Sequence, residues 1–178
     1  MQKDCKLIIG LGNPDLPADR HDKKYLNTYH NVGFLFIDFL RENYQLSITP
    51  CLPAGRNYQL LKSNVYMNLS GSFVIKAMKK NNIKPTELLI VHDDSDLIIG
   101  KYKLSFGSGA AGHHGVESII SSLKTQNFWR LRIGVRPQNE KIRQKADMFV
   151  LKKISTTNKN ILKTTFAEIQ KALVATPE

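Results

Sequence analysis

Residues 87–96 read E-L-L-I-V-H-D-D-S-D. Leu88 to Val91 is an unbroken apolar run, preceded by the turn signal Pro85-Thr86, and such a run fits a central strand covered on both faces. The pattern puts His92, Asp93, Asp94 and Asp96 at the carboxyl end of that strand. Working outward, residues 6–11 (K-L-I-I-G-L) give a second short buried strand, followed by the turn cluster G-N-P-D-L-P. Residues 58–62 and 101–106 read as further strands, and residues 65–67 as a short extended piece. In residues 129–135 (W-R-L-R-I-G-V), Arg130 and Arg132 alternate with Leu131 and Ile133.

Between the strands the period changes to that of a helix. Val32, Leu35, Phe36, Phe39 and Leu40 form one apolar face, with Asn31 placed to cap it. Ser70 opens a helix with Val74, Ala77 and Met78 inward. Val116, Ile119, Ile120 and Leu123 mark a third, and Leu162, Phe166, Ile169 and Leu173 a fourth. Alternating strands and helices predict an α/β fold: a single domain over residues 1–178, with a twisted mixed, largely parallel sheet and helices on both faces. Binding sites in such folds lie outside the carboxyl ends of the strands. Asn13 and Asp93 both follow such ends and are expected in one cleft.

Composition narrows the function. The chain has 178 residues and a formal net charge of +11. Residues 124–163 hold 11 Lys and Arg against two acids, Glu140 and Asp147, so most of the surplus sits there. That is either a solvated basic surface or the footprint of a polyanion, with nucleic acid favoured over a membrane. No apolar run is long enough for a membrane span. The N-terminus shows no leader pattern, and the two cysteines, Cys5 and Cys51, lack C-x-x-C spacing. A cytoplasmic location with reduced thiols is the expectation.

Each chemical motif is modest alone. G10-L-G12-N13-P14 is half a dinucleotide fingerprint, without the third glycine or a prompt helix, and equally a strand ending in a tight turn. His30 sits in a loop ahead of a helix N-terminus, where the positive helix end favours the neutral imidazole that a general base needs. The cluster at residues 92–96 is an acidic loop, a Mg²⁺ site with substrate phosphates, or, through Asp93, the partner that orients a histidine. M67-N68-L-S-G71 is a helix cap or an amide able to bind peptide backbone. G112-H113-H114-G115 is a glycine hinge or a helix opening whose amides hold an anion or carbonyl.

In order, these pieces resemble the bacterial-type peptidyl-tRNA hydrolase family: G-L-G-N-P after a strand, Y25-L-N-T-Y-H30-N31-V-G33, M67-N68-L-S-G71, H92-D93-D94-S-D96-L, G112-H113-H114-G115 and R130-L-R132-I-G134. The resemblance covers roughly residues 6–152. It implies an ester hydrolase acting on tRNA that carries a peptide, monomeric, independent of metal and cofactor, and without an obligate protein partner. It makes His30 the catalytic histidine and Asp93 its carboxylate partner. Asn13 and Asn68 become substrate-positioning asparagines, with Met67 beside them, and Tyr25 supports the tRNA 3′ end. His114 stands where the family has asparagine in G-H-N-G, and Tyr29 where an arginine usually precedes the histidine. The loop between Asn13 and His30 is about ten residues longer than is usual.

The chemistry expected from such residues is simple. An ester expels an alkoxide, so one activated water suffices, and no G-x-S-x-G elbow is present. Neutral His30 would take the proton while Asp93 holds the ring. Asn13, Asn68 or backbone N–H groups would stabilise the oxyanion. Arg132 and the basic stretch would contact phosphates, and Tyr25 would stack on the terminal adenine. Two other readings remain open at this level: a non-catalytic RNA-binding relative of the same fold, and a nucleotide-dependent enzyme using the G-L-G-N-P turn.

Overall fold

The structure, a computed structural model, describes residues 5–14, 25–46, 58–63, 65–138 and 149–174. Among the described residues five strands form one sheet: β1 (Leu7–Gly10), β2 (Gln59–Lys62), β3 (Leu88–Ile98), β4 (Tyr102–Phe106) and β5 (Trp129–Arg136). Their order is β2-β1-β3-β5-β4. β1 runs parallel to both β2 and β3, β3 is parallel to β5, and the edge strand β4 is antiparallel. The helices are α1 (Val32–Leu46), α2 (Ser70–Asn81), α3 (His114–Leu123) and α4 (Thr156–Val174). The mixed, largely parallel α/β sheet read from the sequence is the one observed.

Alternation along the strands feeds two cores. Ile8, Leu89, Val91, Leu131 and Ile133 pack with Phe36 and Leu40 of α1 and with Leu162 and Phe166 of α4. Leu7, Ile9, Leu88 and Ile90 pack on the other face with Val74 and Met78 of α2 and Val116 and Ile119 of α3. Both faces are therefore covered, which is why β3 begins as a continuous apolar run instead of an alternating one. The α1 stripe is correct but incomplete, since Ile37 is also fully buried. Gly33 lets α1 approach closely: a Cβ there would stand 2.5 Å from the Val91 carbonyl oxygen and 2.6 Å from that of Leu11.

Two local readings change. β3 does not stop at His92 but runs to Ile98, with Asp93 opposite Ile133 and Asp94 opposite Gly134 of β5 before the register shifts. The ladder is made by backbone groups, and the acids on it find side-chain partners, so polarity does not end the strand. Residues 65–67, read as a short extended piece, form no strand: Tyr66 keeps an extended backbone, but Met67 opens a 3₁₀ turn, Met67–Leu69, that leads into α2. Cys51, most of the loop between Asn13 and His30, and residues 139–148 of the basic stretch lie outside the described residues.

The chain leaves β1 for β2 on one side and returns to β3 on the other. Such a switch point opens a crevice outside the carboxyl ends of the two adjacent strands. Leu11 to Asn13 follow β1 into it, and the polar half of β3 forms its floor.

Candidate active site

His30 lies in a 3₁₀ turn, Tyr29–Asn31, that runs directly into α1. Both of its neighbours are anchored. Tyr29 is buried, stacks on Phe149 at a centroid distance of 4.6 Å, and its hydroxyl accepts a 2.6 Å hydrogen bond from Asn158 Nδ2. Asn31 is also buried, and it does not cap α1. Its Nδ2 donates to the Asn13 carbonyl at 2.9 Å, and its Oδ1 accepts from the Asn13 amide at 2.8 Å. These bonds aim His30 across the crevice at β3.

There the His30 Nδ1 nitrogen lies 2.9 Å from Asp93 Oδ1, across 63 positions of sequence. A second imidazole reaches the same oxygen, with His113 Nε2 at 3.1 Å. His113 is the N-cap of α3, and its Nδ1 accepts from the Val116 amide at 3.3 Å. An imidazole accepting at Nδ1 carries its proton at Nε2, so His113 donates to Asp93. Burial alone would raise the Asp93 carboxyl, but the two imidazoles outweigh it and hold the group well below the usual carboxylate range. It is an ionised partner at any physiological pH.

A third imidazole stands behind. His92 is buried, its Nδ1 lies 2.7 Å from the Asp93 carbonyl oxygen, and its ring meets that of His113 edge-on at 4.6 Å. Burial, reinforced by His113, pushes it well below the ordinary histidine value and keeps it neutral. Nδ1 then donates to the carbonyl, and Nε2 is buried without a hydrogen-bond partner among the described residues. His30, His92, Asp93, His113 and Arg132 line one cavity.

The other candidates are spread around this centre. Asn13 is buried, and its Oδ1 accepts from the Met67 amide at 2.8 Å, so it pins the turn carrying Met67 and Asn68. Met67 is buried against Gly115, where any Cβ would run into its sulfur. Asn68 is exposed, and Tyr25 sits edge-on to Tyr66 at 6.3 Å. His114 is on the cavity rim, exposed, with Nδ1 3.1 Å from Glu117 Oε2. Arg132 Nε pairs with Asp94 Oδ2 at 2.5 Å, while Asp94 Oδ1 accepts from the Asp96 amide. Asp93 and Asp94 are thus committed to imidazoles, a guanidinium and a backbone amide. Arg130 is almost fully buried and donates to the Gly109 carbonyl at 2.8 Å, tying down the glycine-rich segment.

The family model described as peptidyl-tRNA hydrolase matches residues 7–177. The chain belongs to the peptidyl-tRNA hydrolase family. Among curated relatives bearing that name, the protein of Mycoplasmopsis synoviae is 36% identical over 162 residues, covering 88% of this chain and 81% of its own. That of Helicobacter pylori is 42% identical over 135 residues, covering 72% and 67%. The crystal structure of peptidyl-tRNA hydrolase from Acinetobacter baumannii superposes with a TM-score of 0.78 at 29% identity, over 97% of this chain and 88% of that one. Membership in the family agrees with the resemblance carried by the motifs.

Sequence reasoning missed three side chains here. His113 was legible in principle, since it lies three residues before Val116 on the stripe that continues to Ile119. Asn31 was read through a local capping rule, and its partner comes from a strand end that sequence spacing does not reveal. His92 was read as one of a polar group at a strand end, whereas β3 continues and buries it.

Proposed function

We propose that this chain hydrolyses the ester between a peptide and the 3′ end of tRNA, with His30 as general base and Asp93 as the carboxylate that orients it. The observation that carries this reading is the 2.9 Å contact between His30 Nδ1 and Asp93 Oδ1 at the wall of a cavity, in a chain of this family. With Nδ1 turned to Asp93, Nε2 is the nitrogen that takes a proton from water. The low affinity of Asp93 for protons leaves it charged to stabilise the imidazolium. General-base assistance of this kind is worth about 10²- to 10⁴-fold.

Asn13 acts in two ways. Its oxygen holds the Met67–Asn68 turn, and its Nδ2 has no partner among the described residues and can donate to a substrate carbonyl or oxyanion. A second cleft, lined by Asn13, Leu26, Phe34 and Lys62, offers apolar surface to a peptide. Backbone hydrogen bonds from Asn13 and Asn68 would bind any peptide, so side-chain preference should be weak.

For the tRNA, Tyr25 is the stacking platform and the basic surface the phosphate clamp. With Nε on Asp94, Arg132 still has terminal N–H donors for a phosphate. Lys101, Lys103, Lys152, Lys153, Lys159 and Lys163 are exposed around the sheet edge and α4. Single-turnover hydrolysis of a tRNA carrying an N-blocked amino acid tests the assignment. Release of the blocked amino acid by the intact chain, and its loss in His30→Ala, are expected; equal turnover by that variant removes His30 from the mechanism.

A further inference from the structure

We propose that His30, Asp93 and His113 together form a binding site for Zn²⁺, and that its occupation switches the hydrolase off. The second half rests on the catalytic reading above; the first stands on geometry. One donor atom from each of the three residues lies within 4.8 Å of the other two. The pairs His30–Asp93 and His113–Asp93 are 2.9 and 3.1 Å apart. A tetrahedral Zn²⁺ holds N and O ligands at about 2.0–2.2 Å, which sets ligand atoms roughly 3.3–3.5 Å from one another. The His30–Asp93 and His113–Asp93 edges fall about 0.2–0.6 Å short of that spacing, and the His30–His113 edge is bounded at 4.8 Å, so the ion enters by rotation of the two imidazoles toward a common centre.

The donor set selects the metal. Two imidazoles and one carboxylate with a fourth position open to the cavity suit Zn²⁺. Mg²⁺ prefers oxygen ligands in an octahedron, and Asp94, the nearest further acid in the chain, is taken by Arg132. The side chains of His30, Asp93 and His113 are 13%, 4% and 9% exposed, dry enough to strengthen coordination yet bordering the cavity through which an ion enters.

Binding rearranges protons without consuming any. Metal on His113 Nε2 displaces the proton there, which must move through solvent to Nδ1, where it faces the Val116 amide and breaks the cap of α3. Metal on His30 Nδ1 likewise moves that proton to Nε2, the nitrogen needed to accept one from water. Zinc therefore removes both the base's lone pair and its carboxylate partner, which explains why occupation should stop hydrolysis instead of assisting it.

The test uses the full chain without an affinity tag, washed with chelator. Titration with Co²⁺ should give one equivalent with the intense visible bands of a tetrahedral ion, displaced by Zn²⁺, and the Val116 amide should exchange faster with solvent. His113→Ala and His30→Ala, each checked by circular dichroism, should weaken binding by more than about 100-fold, beyond what loss of an outer partner costs. Unchanged affinity in both variants, a thiolate-to-cobalt band, or no binding by the intact chain overturns the site. Hydrolysis that persists under saturating Zn²⁺ overturns the switch. If the metal-free chain hydrolyses nothing, the catalytic reading fails while the measured metal binding still stands.

Discussion

Asn31 and Asn13 exchange two hydrogen bonds, side chain to main chain, at 2.9 and 2.8 Å. Through them the turn that carries His30 is fastened to the turn that follows β1, and Asn13 in turn fastens the Met67 amide. Three segments remote in sequence are thus set in one geometry before substrate arrives. Asn31→Ala leaves the Asn13 amide and carbonyl without these partners in a buried position, at about 1–3 kcal/mol for each unsatisfied group. Urea unfolding should show a loss of roughly 2–6 kcal/mol in total, with kcat reduced as well. A loss under about 0.5 kcal/mol would mean that water replaces the amide and that the fastening matters little.

The buried His92 makes a pH prediction. Burial holds its folded-state value well below the ordinary histidine value of 6.5. Below about that pH the unfolded chain binds a proton that the folded chain refuses, so stability is full above it and falls as pH drops, by at most about 1.4 kcal/mol per pH unit for one proton. The depressed Asp93 has the same sign, but its window opens only below the ordinary aspartate value of 3.8. Between pH 7 and 5, His92→Gln should therefore flatten the stability profile. Parallel curves for the two proteins would show that His92 is not the group responsible.

Phosphate contacts should appear as salt dependence. Raising salt should increase KM far more than it lowers kcat, because neutralised phosphates add affinity without touching the reacting atoms. Arg132→Ala should reduce the slope of log KM against log salt by about one contact. A KM insensitive to salt would rule out the clamp.

His114 is exposed, and its one described partner is Glu117, three residues on. An exposed pair of this kind is worth at most about 1 kcal/mol. His114→Asn, which restores the residue usual in the family motif, should keep kcat/KM within about fivefold of the original or raise it. A hundredfold loss would give His114 a catalytic role of its own.

How much of this was legible in the sequence depends on whether the cause was local. The apolar run at Leu88 to Val91 and the stripes through Phe36, Val74, Ile119 and Phe166 reported the two-sided sheet faithfully, since burial on each face is a periodic demand. His30, Asp93 and Asn13 were legible through the order of motifs. The end of β3 was not, because pairing with β5 continues through Asp93 and Asp94 whatever their polarity. Nor was the choice between His113 and His114. His113 is the extended N-cap and His114 the first helical residue, so one meets Asp93 while the other faces solvent, and the phase is fixed only once the α3 start is known.

The central claim is that His30, held by Asp93, generates the nucleophile. It is tested most directly by single-turnover hydrolysis of N-blocked aminoacyl-tRNA with the intact chain, His30→Ala and Asp93→Asn, alongside tRNA affinity measured at the same salt. The account predicts rates lower by about 10²- to 10⁴-fold in both variants, with tRNA binding preserved. Undiminished hydrolysis by His30→Ala would contradict it.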